Sequence, residues 1–362
     1  MCRVTRIITK SCSASSFLKS GSGPNRSLFL PSPSIIERSR PACGFTLHSQ
    51  LSDQRVEFRF MCSYVLITAA HNEEKYIGET LKSVTSQTIL PAQWIIVSDG
   101  STDRTDEIVR EYAREFGFIR LLRREKESRR DFASKVFALN AGIKLIEGQN
   151  YRFIGHVDAD VSFGPNYFLD LFRKFENDPA LGLAGGFIYE EVNGKFVPIK
   201  GNRIMSVAGA VQMFRRECYQ DVGPFLPIPY GGEDWYAEVV ARMRGWQVKS
   251  FSDLEVRHHR ITGSASGTLR SWYRAGLMDY ALGCHPVFEV TRLVRRVFYR
   301  PLFLGALIRF VSFVFASLRQ EKRIVSPEFV SFLRKEEMER LRAIRHGQFI
   351  SMQVMSRLFR ML

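Results

Sequence analysis

Residues 64–74 read YVLITAAHNEE, and the fold follows from how that stretch is built. Tyr64-Val65-Leu66-Ile67-Thr68 is a short, β-rich apolar run without polar alternation, which predicts a strand buried on both faces. It breaks into Ala69-Ala70-His71-Asn72-Glu73-Glu74, which is polar and acidic. The same grammar returns twice. Trp94-Ile95-Ile96-Val97 runs into Ser98-Asp99-Gly100-Ser101-Thr102-Asp103, and Tyr151–His156 runs into Val157-Asp158-Ala159-Asp160. Phe118–Leu122 is a further strand candidate. Helical spacing covers Glu73–Ser86, Asp103–Phe116, Ser134–Ile146 and Asn166–Phe175. Buried strands alternating with helices predict an α/β fold whose mostly parallel sheet is flanked by helices. In such sheets a ligand sits beyond the carboxyl ends of the strands, so the three acid-bearing segments converge on one edge. Asp103 has a second reading as a helix N-cap beside Thr102.

Composition bounds the rest. The chain has 362 residues, 45% hydrophobic and 25% charged, with a formal net charge of +15. That is ordinary for a folded globular protein and excludes collagen-like, disulfide-scaffold and multi-spanning membrane classes. The charge is unevenly placed: residues 1–60 carry nine Lys/Arg and three Asp/Glu, residues 289–362 carry fifteen and six, and 61–288 is neutral. A neutral centre argues against nucleic acid as a partner; basic ends suit an anionic membrane or are simply solvated. Cys2, Cys12, Cys43, Cys62, Cys218 and Cys284 form no C-x-x-C pair, so free thiols in a reducing compartment are expected.

Residues 1–60 are Ser-, Pro- and Gly-dense, with no acid before Glu37 and no sustained period. They read as a disordered leader, an organelle transit peptide, or sequence upstream of a true start at Met61. The folded domain is expected over 61–284, and a basic helical extension over 285–362. Within that extension Leu302–Leu318, LFLGALIRFVSFVFASL, is seventeen residues with Arg309 at its centre. It is too short and too charged at its middle to span a bilayer. It suits either a helix lying at a membrane interface or one packed on the domain. The stretch after Pro327, FVSFLRKEEMERLRAIR, reads as an amphipathic helix.

Two acidic clusters carry chemistry. Asp158-Ala159-Asp160 at a strand mouth can hold a hard divalent cation through oxygen, and such a cation takes phosphate oxygens too. Gly231-Gly232-Glu233-Asp234-Trp235 opens a helix. Its acids either complement the helix dipole or supply a general base, and Trp235 would wall a sugar-sized pocket on the acceptor side. Val256-Arg257-His258-His259-Arg260 follows the strand candidate Phe251–Leu254. One imidazole there could complete a metal site and the arginines could meet phosphate.

TAAHNEE, SDGSTD, KVFALNAG, DAD and GGEDW, in that order from about Ser63 to His259, resemble the family 2 glycosyltransferases of GT-A fold, in particular bacterial polysaccharide-biosynthesis members. MFRREC at 213–218 looks like the family's acceptor-side strand and turn. The resemblance implies a Rossmann-like GT-A domain with a C-terminal helical extension. It implies an inverting enzyme that moves a single sugar from a nucleotide-diphospho-sugar to an acceptor hydroxyl, with Mn²⁺ or Mg²⁺. Ala69, Asn72, Glu73, Asp99, Lys135, Asn140 and Asp158 would then hold the nucleotide sugar. Asp160 and His258 would bind metal, with His259 the rival. Asp234, beside Glu233, would be the catalytic base. The Gln-x-x-Arg-Trp motif of processive synthases is missing; Arg270-Ser271-Trp272-Tyr273-Arg274 is a loose echo, which favours single transfers. A cytoplasmic protein is implied, peripheral on the membrane's cytoplasmic face through 289–362, with a lipid-linked acceptor. The competing readings are a sugar nucleotidyltransferase and a non-catalytic nucleotide-sugar-binding protein; a dehydrogenase is disfavoured because no G-x-G-x-x-G follows a strand.

Overall fold

A computed structural model describes residues 63–125, 133–260, 268–296 and 303–345. The leader 1–60 lies outside the described residues, as do Cys2, Cys12, Cys43 and Cys62. The described residues form nine strands and ten helices. The first half alternates as β1 (Tyr64–Ala70), α1 (Ile77–Thr85), β2 (Gln93–Asp99), α2 (Thr105–Glu115), β3 (Ile119–Arg124), α3 (Ala133–Lys144) and β4 (Phe153–Val157). There follow β5 (Val161–Phe163), α4 (Tyr167–Asn177), β6 (Leu181–Val192), β7 (Lys195–Pro198), β8 (Val211–Arg215), α5 (Arg216–Val222), α6 (Glu233–Met243) and β9 (Gln247–His258). The chain continues in α7 (Thr268–Ala281), α8 (Pro286–Arg296), α9 (Leu304–Leu318) and α10 (Pro327–Arg345).

The sheet order is β3-β2-β1-β4-β8-β6-β9-β5, with β7 on β6. β3, β2, β1 and β4 run parallel, as their buried apolar runs predict. β8 enters antiparallel between β4 and β6, and β9 pairs parallel to β6. Alternation along β1 and β2 divides the core. Val65, Ile67, Ile95 and Val97 pack with Val136 and Leu139 of α3 on one face. Tyr64, Leu66, Trp94 and Ile96 pack with Leu81, Val109, Phe168 and Phe172 on the other. Thr68, polar yet fully buried, accepts the Trp94 indole N–H at 2.9 Å.

Two boundaries differ from expectation. The helix expected from Glu73 starts at Ile77, because Asn72 sits in the left-handed region at φ 55° and the Glu73 amide donates to Thr105 Oγ1 at 2.7 Å. That loop belongs to the site before the helix begins. The strand expected over Phe251–Leu254 extends from Gln247 to His258, because β6 offers it a parallel partner.

The C-terminal helices share the first of the two cores: Phe313 and Ala316 of α9, and Phe329 and Leu333 of α10, pack with α3 and α6. α9 crosses α7 at Gly276, where an added Cβ would stand 2.0 Å from the Arg309 carbonyl oxygen. Arg309 turns inward, and its Nε and Nη2 donate to the two oxygens of the fully buried Asp279 at 2.6 and 2.8 Å. The inner face of α9 is thus packed on the domain. Among the described residues no helix is long and apolar enough to cross a membrane. Cys218 and Cys284 are free and buried, as expected of unpaired thiols.

Candidate active site

The loops after β1 and β2 are stitched together at the carboxyl edge. Asn72 Oδ1 accepts the Thr102 amide at 2.8 Å, and the Asn72 amide donates to Ser101 Oγ at 3.2 Å. Asp103 does cap: its Oδ1 accepts the Thr105 amide at 3.0 Å, while Oδ2 accepts the Glu74 amide. It therefore ties α2 to the first loop. Burial acts to raise its carboxyl, but these bonds, with one from the Thr105 hydroxyl, together outweigh it and hold the carboxyl below the usual range. Asp99, at the end of β2, lies 3.4 Å from Arg124, and its carbonyl meets His71 Nδ1 at 2.7 Å. Ala69 is the last partly open position of β1, opposite Val97.

Asp158 anchors a first acidic centre. Its Oδ1 lies 2.7 Å from Lys135 Nζ and 3.5 Å from His156 Nε2. Burial opposes both charges, but each outweighs it for the other, so Asp158 is held well below and Lys135 above the ordinary range. His156 is buried, and burial together with Lys135 pushes its pKa down, so it is a neutral imidazole. Lys135 also feels Glu233 and Asp234. These come to it because Gly231 and Gly232, at φ 85° and 93°, turn the chain into α6; a Cβ at Gly232 would meet Met278 Sδ at 2.8 Å. Burial, then the neighbouring Asp234, push the Glu233 carboxyl up. Asp234 is the more open of the two. Its Oδ2 accepts the Gly209 amide at 3.1 Å and its Oδ1 the Trp235 amide at 2.8 Å, which fixes the carboxylate while each oxygen keeps a free lone pair.

Asp160 anchors the second centre. His258 Nε2 stands 3.4 Å from Asp160 Oδ1, and His258 Nδ1 stands 3.5 Å from Glu190 Oε1. Burial opposes protonation of His258, but Asp160 and its neighbours outweigh it and raise the pKa. Arg260 contacts both Asp160 and Glu73, and the Glu73 carboxyl is pushed up to about 7 by burial, against the pull of Arg260. His259 goes elsewhere: its Nε2 meets Ser162 Oγ at 2.8 Å. His258 ends β9 and faces Asp160, whereas His259, one residue past the strand, turns to Ser162. The facing oxygen and imidazole suit one divalent cation, whose adjacent ligands stand about 3 Å apart. Asp160 and His258 thus fit a metal. Among the described residues the one tight triple of ligating side chains is Asp279, Cys284 and Glu289, and Arg292 and Arg309 already pair its acids.

Several expected residues have other duties. The Asn140 amide exchanges two hydrogen bonds with the Phe225 backbone, at 2.9 and 3.1 Å, fixing the turn after Pro224. The Trp235 ring carries the Arg292 guanidinium of α8, 5.2 Å from its centroid, so it joins the site to the helical extension. Arg257 pairs with Glu255, and Arg260 with the site's own acids. His156, Glu190 and Glu238 were not found from sequence. Glu238 accepts the Ser206 hydroxyl and the Val207 amide at 3.0 and 2.6 Å, which holds the segment that brings Gly209 to Asp234.

The model "Glycosyl transferase family 2" matches residues 65–227, which run from β1 past α5. A poly-β-1,6-N-acetyl-D-glucosamine synthase of Staphylococcus epidermidis is 28% identical over 212 residues, covering 53% of this chain and 47% of that one. The uncharacterized glycosyltransferase EpsJ of Bacillus subtilis is 28% identical over 145 residues, 39% of each chain. This chain therefore spans under half the length of the curated relatives it matches. Among solved structures, the mannosyltransferase PcManGT of Pyrobaculum calidifontis, in complex with GDP-Man and Mn²⁺, aligns with TM-score 0.47 at 14% identity, over 76% of this chain and 98% of that one. Staphylococcus aureus TarS 1-349 with UDP-GlcNAc aligns with TM-score 0.45 at 17% identity, over 75% and 79%.

Proposed function

We propose that this chain is an inverting glycosyltransferase that moves a single sugar from a nucleoside-diphosphate sugar to an acceptor hydroxyl, in polysaccharide or glycolipid assembly. The observation that carries the reading is the meeting of two centres at one sheet edge: Asp158 with Lys135 beside Glu233 and Asp234, and Asp160 beside His258. Asp99, Asn72, Glu73 and Ala69 line the nucleotide side, where the stitched loops give a rigid rim. Asp158 faces the ribose or sugar, with Lys135 balancing its charge. Asp234 accepts the acceptor's hydroxyl proton. The freed oxygen attacks the anomeric carbon opposite the diphosphate, forming one C–O bond as the other breaks. Mn²⁺ or Mg²⁺ held by Asp160 and His258 would neutralise charge on the departing diphosphate. Trp235 bounds the acceptor side, and the acceptor is lipid-linked at a membrane surface. The protein works in the cytoplasm, on that membrane's cytoplasmic face.

The test is nucleoside diphosphate release from a panel of nucleotide sugars, with Mn²⁺, Mg²⁺ or EDTA. Asp234→Asn lowers turnover by about 10²–10⁴-fold while donor binding survives. Asp160→Ala weakens metal-dependent donor binding. Release of pyrophosphate from a nucleoside triphosphate would instead indicate a nucleotidyltransferase, and binding without turnover a non-catalytic protein.

A further inference from the structure

α9 has two faces with opposite chemistry. Its inner face packs on α7 and sends Arg309 to the buried Asp279. Its outer face exposes Leu304, Leu307, Val311, Phe315 and Leu318, each 41–78% accessible. The spacings of three, four, four and three put these five on one stripe. The stripe runs the full helix, about 21 Å at the α-helical rise. α8 exposes Val287, Val290 and Val294 at spacings of three and four, a second apolar stripe on the helix that packs beside α9.

Cations predominate around these stripes, with Glu321 half-buried between Arg319 and Lys322. Arg295, Arg319 and Lys322 are exposed at the helix ends. The Arg319 guanidinium lies 4.1 Å from the Phe315 ring centroid, a cation resting on an aromatic of the stripe. Asp279 and Glu289 are turned away, buried and paired with Arg292. An anionic lipid surface matches apolar stripes bounded by cations. Spanning is excluded by α9's 15 residues, which reach about 22 Å against the roughly 30 Å of a hydrocarbon core, and by its packed inner face.

We propose that the outer faces of α8 and α9 dock this protein in the headgroup plane of an anionic bilayer, with the aliphatic side chains in the acyl boundary and Arg295, Arg319 and Lys322 among the headgroups. This deepens the membrane-surface reading above by naming the face that meets the lipid. It resolves the two sequence readings of Leu302–Leu318, since the helix is packed on one side and interfacial on the other.

The test is sedimentation of the full chain with vesicles of phosphatidylcholine alone, or with about one-third phosphatidylglycerol. Partition to the anionic vesicles is expected, weakening as NaCl rises from about 50 to about 500 mM. Val311→Glu with Phe315→Glu lowers that partition at least about tenfold. Arg319→Glu with Lys322→Glu lowers it too, and steepens no other property. All four positions are exposed, and unchanged thermal melts verify that the variants fold. Equal partition to both vesicle types, or none to either, overturns the proposal. So does concentration-dependent dimerisation abolished by the same apolar substitutions without vesicle binding. Donor hydrolysis on the same preparations reports separately on the transferase reading, so either can fail alone.

Discussion

Glu190 Oε1 lies 3.5 Å from Nδ1 of His258, an ion-pair contact set by their direct register between β6 and β9. With a metal bound, a carboxylate on Nδ1 would favour the tautomer with its proton there and leave Nε2 free as a ligand beside Asp160. Glu190 is in this reading a positioning residue for the metal site. Glu190→Gln is expected to lower Mn²⁺ affinity in the presence of nucleoside diphosphate by about 10–100-fold. Titration calorimetry or Mn²⁺ spin resonance reads this directly, and an unchanged affinity would leave Glu190 a bystander.

Glu238 carries a pH signature in stability. It is 2% exposed, and burial pushes its carboxyl up to about 7 despite Arg242. A raised acid pKa means stability is full below the unfolded value of 4.5 and is lost as pH rises through about 7. The shift corresponds to roughly 3 kcal/mol. Urea denaturation of wild type and Glu238→Gln at pH 5 and pH 8 checks it. The difference should move in favour of the variant at the higher pH by up to roughly that amount.

Gly276 has no room for a methyl group. Its ideal Cβ would stand 2.0 Å from both the Arg309 carbonyl oxygen and Ser312 Oγ. The backbone oxygen can yield only if α7 and α9 separate. Gly276→Ala is expected to destabilise by at least about 2 kcal/mol, seen as a lower denaturation midpoint. A midpoint within error of wild type would show that the crossing is looser than described.

Asp279 balances Arg309 and Arg292 in a buried cluster. Burial opposes its charge, yet the two guanidinium groups outweigh it and hold the carboxyl below its ordinary range. Asp279→Leu would strand Arg309, while Arg292 keeps Glu289 and Glu337, and should cost about 3–5 kcal/mol. Adding Arg309→Met should restore part of that loss, and a double-mutant cycle by chemical denaturation measures how much.

Legibility from sequence followed the range of the interactions. β1, β2 and β4 were readable because burial on both faces leaves an unbroken apolar run, and the loops after them because polarity changes abruptly at the strand ends. β6 was not. LGLAGGFIYEEV carries three glycines, which ordinarily weaken a strand, and here they exist for close approach: a Cβ at Gly186 would meet the Leu254 carbonyl oxygen at 2.2 Å. Missing β6 hid Glu190, whose partner lies 68 positions away along the chain and beside it only through strand register. Asn140, expected at the site from its place in a motif, also holds the backbone of Phe225, 85 residues on, a contact no local pattern announces.

The sequence by itself determined the alternation of strand and helix, the edge on which the acidic loops gather, and the place of Asp158 and Asp160 at the mouth of one strand, because local hydrophobic period and abrupt polar breaks encode them. Only the tertiary structure set His258 beside Asp160 and His259 beside Ser162, turned Arg309 inward and the apolar stripe of α9 outward, and gave Glu190 and Trp235 their partners. Those outcomes depend on strand register and helix packing between residues far apart in the chain, and neither is written in any one stretch of it.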